Sequence, residues 1–116
     1  MKRISIFDDD TDILDILMFL LTEKGWEVYT HATCNNILEV VARNKPDVIL
    51  MDNWIPDIGG IKATQRLKQD PELSKIPVVY FSANNDIESL AQQAGADAYL
   101  AKPFDLDELE RLINQF

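Results

Sequence analysis

The sequence predicts an α/β domain in which five strand–helix units build a parallel sheet with helices on both faces. Two observations lead to this fold class. Short apolar segments of strand length alternate five times with segments whose apolar residues recur at helical spacing. No hairpin signal separates consecutive strand segments, and such alternation is typical of a doubly wound parallel sheet.

Three predicted strands and two predicted helices fill the first half of the chain. The strands are residues 4–7, which precede a run of acids, residues 26–31, whose alternation suits an edge strand, and residues 48–51, whose continuous apolar run requires burial on both faces. The helices between them end near Gly25 and before Pro46. Their helical spacing is defined by Ile13, Ile16, Leu17, Leu20 and Leu21 in the first and by Ile37, Leu38 and Val41 in the second.

The second half of the chain adds two predicted strands and three predicted helices. Residues 78–81 form another fully apolar strand, entered through Pro77, and residues 98–100 form a short fifth strand. The helices are defined by Ile61, Thr64 and Leu67, by Ile87, Leu90, Ala91 and Ala94, and by Leu106, Leu109, Leu112 and Ile113. No internal repeat, low-complexity segment or linker interrupts this order.

Length and composition limit the classes of protein that the chain can represent. It has 116 residues, with 20 Asp and Glu against 11 Lys and Arg, and a formal net charge of −9. We expect one domain over residues 1–116, with no output domain after the fifth helix. The acidic balance argues against direct binding of nucleic acid. Cys34, the only cysteine, cannot form an internal disulfide, and the apolar runs are too short to span a membrane, so we expect a cytoplasmic protein.

Polar side chains follow four of the five predicted strands. Asp8, Asp9 and Asp10 follow the first, Asp52 the third, Ser82 the fourth and Lys102 the fifth. Each alone has an ordinary structural explanation as a helix cap, a turn residue or a solvated lysine. Ligands of open α/β sheets bind beyond the carboxyl ends of the strands, however, and unrelated turn residues need not converge there. The joint pattern therefore favours a functional site.

The residue types at this edge predict phosphoryl-transfer chemistry that depends on a divalent cation. Carboxylates from the first and third strands would repel one another, and Mg²⁺ relieves such repulsion while also binding phosphate oxygens. The ammonium of Lys102 and the hydroxyl of Ser82 can both contact a phosphoryl group. A carboxylate close to the metal can attack phosphorus and become an acyl phosphate.

A set of motifs that spans essentially the whole chain resembles the receiver domain of two-component response regulators, in particular chemotaxis-receiver-like proteins. The motifs are residues 6–10 (Ile-Phe-Asp-Asp-Asp), residues 46–52 (Pro-Asp-Val-Ile-Leu-Met-Asp), Ile55 and Pro56 with Gly60, residues 77–83 (Pro-Val-Val-Tyr-Phe-Ser-Ala) and residues 95–104 (Gly-Ala-Asp-Ala-Tyr-Leu-Ala-Lys-Pro-Phe). The resemblance implies a flavodoxin-like fold with the strand order 2-1-3-4-5, which the periodicity alone does not give.

The resemblance also implies a role for each polar residue at the sheet edge. Asp52 would be the phosphoacceptor, and Ser82 and Lys102 would sense the phosphoryl group. A Mg²⁺ ion would be held by Asp8 (largely through water), Asp9, Asp52 and the backbone carbonyl of Trp54. The Trp54 ring could shield the acyl phosphate from water or simply lie on the surface beside the site.

The resemblance implies a conformational switch as well. Tyr99 would swing inward as Ser82 moves toward the phosphoryl group, and the bond between Lys102 and Pro103 would be a cis peptide. A histidine kinase or a histidine phosphotransfer protein would supply the phosphoryl group. A downstream protein would bind the surface formed by the fourth helix, the fifth strand and the fifth helix, with the chain a monomer or a phosphorylation-dependent dimer.

Two alternative functions remain open at this point. A Mg²⁺-dependent phosphohydrolase of the haloacid dehalogenase type would use Asp8 as its nucleophile with Asp10 two residues later, but Asp12 stands where threonine is expected and the chain lacks room for a cap domain. An adaptor on a receiver scaffold would never be phosphorylated. It would gain nothing from clustered carboxylates that only repel one another. Phosphate on Asp52 would indicate a receiver, phosphate on Asp8 a phosphohydrolase, and no phosphate at all an adaptor.

Overall fold

The computed structural model describes residues 2–56 and 58–116. Within them, five parallel strands form one sheet in the order β2-β1-β3-β4-β5, which confirms the predicted fold class and the implied order. The strands are β1 (Arg3–Phe7), β2 (Glu27–His31), β3 (Val48–Asp52), β4 (Val78–Ser82) and β5 (Ala98–Ala101). The helices are α1 (Thr11–Glu23), α2 (Ile37–Asn44), α3 (Gly60–Gln69), α4 (Ile87–Ala94) and α5 (Leu106–Ile113), with a short 3₁₀ helix at Leu73–Lys75.

The sheet separates two hydrophobic cores because successive strand residues point to opposite faces. In β3, Val48 and Leu50 pack with α1 and α5, whereas Ile49 and Met51 pack with α2, α3 and α4. All five residues of β3 and all five of β4 are buried. The half-buried strand β2 lies at one edge, as its alternating sequence predicts.

The buried face of the first helix includes Leu17 and Leu21, as its spacing suggests, but leaves out Ile16. Leu14, Leu17 and Leu21 are its buried residues, whereas Ile16, which helped to predict the helix, is 57% exposed. Apolar residues cover most of this helix's circumference, so periodicity identifies a helix without selecting its buried side. Ile13, Ile16 and Leu20 line an apolar groove that opens beside Lys102 and Phe104.

The sequence does not predict the 3₁₀ helix at Leu73–Lys75, since a single three-residue turn carries no periodic signal.

Among the described residues, no helix combines the length and the apolar character that crossing a bilayer requires.

Candidate functional site

The parallel register brings four strand ends to the same edge of the sheet. Phe7 of β1 pairs with Met51 of β3, and Ser82 of β4 pairs with Ala101 of β5. The residue that follows each of these strands, or ends it, therefore reaches one common pocket. This register explains how Asp8, Asp52 and Lys102 come into contact from positions up to 94 residues apart, with Ser82 at the end of the neighbouring strand.

The ammonium group of Lys102 bridges two buried carboxylates in this pocket. Its Nζ donates to Asp52 Oδ1 at 2.8 Å and to Asp8 Oδ2 at 3.0 Å. The side chains of Asp8 and Asp52 are 1% and 7% exposed. Lys102 Nζ also lies 4.4 Å from the centre of the Phe81 ring on β4, a cation–π contact that adds to its two hydrogen bonds.

Burial dominates the electrostatics of the two carboxylates. It raises the pKa of Asp8, although the backbone N–H of Asp10 and the Lys102 ammonium partly offset the rise. Burial likewise raises the pKa of Asp52, and the nearby charge of Asp8 adds to that rise. Burial alone would lower the pKa of Lys102, but its hydrogen bonds to Asp52 and Asp8 outweigh burial and raise it. One ammonium thus faces two carboxylates that are costly to ionise.

A third carboxylate completes a cluster that suits a hard cation. Asp9 is exposed, and one oxygen each from Asp8, Asp9 and Asp52 lie within 4.8 Å of one another. Carboxylate oxygens that leave room for water and phosphate oxygens are the donors that Mg²⁺ prefers. Lys102 neutralises only one of the three charges, so these residues fit a divalent cation.

The segment that follows β3 wraps around the Asp52 carboxylate. The backbone N–H of Trp54 donates to Asp52 Oδ2 at 3.0 Å, which leaves Oδ1 to Lys102. The Trp54 side chain is 77% exposed and lies on the surface beside the site. Gly60 opens α3 directly behind, where a Cβ atom would collide with the backbone oxygen of Asp52. Only glycine allows this close approach.

The residues expected to form the switch occupy two different environments. Ser82 is buried, and its Oγ accepts a hydrogen bond from the Asn84 backbone N–H at 3.0 Å. Tyr99, on β5, is 44% exposed. The peptide bond between Lys102 and Pro103 is cis, which confirms that expectation.

One contact at the site follows the ordinary explanation in the sequence analysis, and two lie outside the sequence prediction. Asp10 does not join the carboxylate cluster; its side chain caps α1 by accepting from the backbone N–H groups of Asp12 and Ile13. Phe81 lies against Lys102, and the Tyr80 hydroxyl donates to the Asn53 side-chain oxygen. A helix-capping role was the ordinary alternative for an acid at position 10, whereas nothing in an apolar strand sequence marks the Tyr80 contact.

Comparisons with known proteins agree with this geometry. The family model described as the response regulator receiver domain matches residues 4–114. The DNA-binding dual master transcriptional regulator RpaA of Synechocystis sp. is 34% identical over 94% of this chain and 46% of its own length. The chain spans between about a quarter and about a half of the length of the first such relatives, at 46%, 24% and 47%.

Solved structures match over nearly the full chain. A structure described as a response regulator from Chloroflexus aurantiacus superposes with a TM-score of 0.90 at 31% identity, covering 98% of this chain and 95% of that one. The receiver domain of a sensor histidine kinase from Pseudomonas aeruginosa, described with a magnesium ion coordinated in its active-site cleft, has a TM-score of 0.89 at 27% identity, with 98% and 95% coverage.

Proposed function

Because the chain belongs to the response regulator receiver domain family, we propose that it is a phosphorylation-dependent switch of a two-component system whose phosphoacceptor is Asp52. The observation that supports this assignment is the Lys102 ammonium, which contacts the Asp52 and Asp8 carboxylates together in one pocket. A histidine kinase or a histidine phosphotransfer protein of the cytoplasm supplies the phosphoryl group.

The transfer forms a bond between an Asp52 carboxylate oxygen and phosphorus. The phosphorus–nitrogen bond of the donor's phosphohistidine breaks, its electron pair returns to the imidazole, and the imidazole takes up a proton. Lys102, already within hydrogen-bond distance of Asp52, can contact a phosphoryl oxygen with little movement. The Ser82 hydroxyl, at the end of the neighbouring strand β4, is a second donor for the same group.

Magnesium would be held by the carboxylates of Asp8, Asp9 and Asp52, which lie together, and we propose the Trp54 backbone carbonyl as a further ligand. When bound, this ion supplies positive charge that offsets the carboxylates and the phosphoryl oxygens during transfer. Lys102 and Ser82 would contribute positive charge and a hydroxyl donor beside Asp52, and positioning with charge neutralisation is most of what the reaction requires.

The proposed output of the switch is a change in the surface formed by α4, β5 and α5. In this proposal Ser82 turns toward the new phosphoryl group. Tyr99, which is exposed on β5 in the unphosphorylated structure, then moves into the space that Ser82 leaves. A downstream protein that binds this surface then distinguishes the two states through its contacts with Tyr99.

Incubation with acetyl phosphate tests the assignment. Intact-mass measurement should show the addition of one phosphoryl group in the presence of Mg²⁺, with no addition in EDTA or in Asp52→Asn. Asp107→Asn, an exposed acid on α5, is the matched control and should label normally. Label that survives in Asp52→Asn and disappears in Asp8→Asn would instead indicate the haloacid dehalogenase type. A protein that takes up no label under any condition would be an adaptor.

A further inference from the structure

Tyr80 is a buried tyrosine whose hydroxyl the proposed transfer chemistry does not use. It lies in the middle of β4, has no exposed surface, and packs in the core between the sheet and helices α2, α3 and α4. A buried phenol needs a hydrogen-bond partner, and Tyr80 donates to the side-chain oxygen of Asn53. Phenylalanine would fill the same volume, so the hydroxyl must be explained by this contact.

Asn53 connects Tyr80 to the phosphoacceptor. It follows Asp52 directly, and it is held from three directions: its side chain by Tyr80, its backbone N–H by the Phe81 carbonyl at 3.3 Å, and its own carbonyl by the Gly60 N–H at 3.2 Å. The next residue along, Trp54, donates its backbone N–H to the Asp52 carboxylate. The position of Asn53 therefore determines where that donor lies.

We propose that Tyr80 is a positioning residue for the acidic pocket. Through Asn53, its hydroxyl fixes the backbone of residues 53 and 54, so that the Trp54 N–H orients the Asp52 carboxylate, a member of the carboxylate cluster. The inference rests on the proposed function, because it assigns Tyr80 a role in Mg²⁺ affinity at that same site. It predicts that losing one oxygen atom from the core weakens the binding of a cation.

The electrostatics of Tyr80 are consistent with a permanent donor. Burial raises the pKa of the phenol above its usual value, and the negative charge of Asp52 raises it further. The hydroxyl thus keeps its proton throughout the neutral range, and it can donate to Asn53 whether or not the pocket is occupied.

The substitution Tyr80→Phe tests the proposal with little disturbance of packing. Mg²⁺ binding is measured directly, without any phosphodonor, by titration calorimetry and from the intrinsic fluorescence of the two tryptophans, of which Trp54 lies beside the site. We expect the dissociation constant for Mg²⁺ to rise about 3- to 10-fold, the factor that corresponds to one net hydrogen bond. Tyr29→Phe on the edge strand β2 is the matched control and should leave the constant unchanged.

A second variant separates positioning from general loss of structure. Asn53→Ala removes the acceptor, and the double variant with Tyr80→Phe should bind Mg²⁺ no more weakly than Asn53→Ala alone, because both changes break one interaction. Thermal midpoints measured in EDTA identify any variant that fails to fold. Unchanged Mg²⁺ affinity in folded Tyr80→Phe, or effects of the two changes that add, would overturn the proposal. Labelling of the unaltered chain at Asp52 is scored separately, so failure of the proposed function is distinguishable.

Discussion

Lys102 Nζ lies 2.8 Å from Asp52 Oδ1 in a pocket where the Asp52 side chain is 7% exposed. The same nitrogen is 3.0 Å from Asp8, so one ammonium serves two carboxylates. Before any phosphoryl group arrives, Lys102 thus stabilises a cluster that would otherwise repel itself. Lys102, which is proposed to sense the phosphoryl group, therefore also stabilises the unmodified pocket. The free energy of unfolding should depend on whether the pocket holds a cation or a phosphoryl group.

Lys102→Met should destabilise the chain strongly when no divalent cation is present. The variant leaves the Asp8 and Asp52 carboxylates buried without a counter-charge, and breaking such a pair costs about 3 kcal/mol of the free energy of unfolding. Mg²⁺ should restore much of this loss, because the cation supplies the missing charge. Urea unfolding in EDTA and in Mg²⁺ measures both quantities. Lys75→Met, at an exposed lysine in the 3₁₀ helix, is the control.

The raised pKa values of Asp8 and Asp52 predict how stability depends on pH. Both shifts arise chiefly from burial, so the folded state binds protons at these sites more tightly than the unfolded chain. Their stabilising contribution is complete below the pKa of an unfolded carboxyl, about 4, and is lost as the pH rises through the higher values of the folded state. At pH 7 the charged pocket therefore destabilises the fold.

Asp8→Asn should raise the free energy of unfolding at pH 7 in EDTA. The remaining pair of Lys102 and Asp52 is neutral, and we expect a gain on the order of 1 kcal/mol, the free energy that corresponds to an about tenfold difference in proton affinity between the folded and unfolded states. The difference in free energy of unfolding between the variant and the unaltered chain should shrink as the pH falls toward 4. Mg²⁺ should reverse its sign, because the variant lacks one carboxylate ligand and gains less from binding the ion. Denaturant unfolding across this pH range checks the prediction, with Asp15→Asn on the exposed side of α1 as control. A constant difference at every pH would contradict it.

The fold was predictable because burial on both faces leaves a clear mark on a strand. The continuous apolar runs of β3 and β4, with helical spacing between strands, indicate a parallel sheet, and a parallel sheet brings Asp52, Ser82 and Lys102 to one edge. The strand order came from the family resemblance, since periodicity records burial and not adjacency. The spacing of α1 does not reveal that Ile16 is exposed, because apolar residues of the helix itself occupy most of its circumference.

The contacts of individual polar atoms were less predictable. The hydrogen bond between Tyr80 and Asn53 depends on the path of the segment after β3, and no local sequence pattern encodes that path.

Lys68, near the end of α3, is a second polar residue whose contacts the sequence does not predict. Its Nζ donates to the Ile76 carbonyl at 2.8 Å and the Ser74 carbonyl at 3.2 Å, and pairs with Asp97 at 2.6 Å. In sequence it resembles any solvated lysine on a helix.

Lys68→Met should reduce stability without affecting the pocket. Asp97 also accepts from the Val78 N–H at 2.8 Å, so Lys68 joins α3 to the start of β4 and to the residue before β5. Loss of hydrogen bonds from a charged group predicts a decrease of about 2 kcal/mol in the free energy of unfolding. Mg²⁺ affinity and acetyl phosphate labelling of the folded variant should stay normal. A large change in either would show that this network reaches the site.

Tyr99 offers a direct measurement of the proposed switch. Tyr99 is 44% exposed in this structure, so nitration by tetranitromethane should modify its ring readily. If phosphorylation draws the ring inward, acetyl phosphate with Mg²⁺ should slow nitration of Tyr99 several-fold, while half-buried Tyr29 on β2 reacts at its former rate. The slowing should be absent in Asp52→Asn. Equal rates with and without phosphorylation would mean that the ring does not move.

Tyr99→Ala separates the modification from its readout. The side chain stands on β5 and makes none of the hydrogen bonds described at the pocket, so labelling of Asp52 by acetyl phosphate should keep its rate within about two-fold. Tyr99→Phe, which keeps the ring, is the conservative control. Comparison of rates by intact mass decides the matter: if Tyr99→Ala cannot be labelled while Tyr99→Phe can, the ring supports the site itself, and the proposed switch through Tyr99 is wrong.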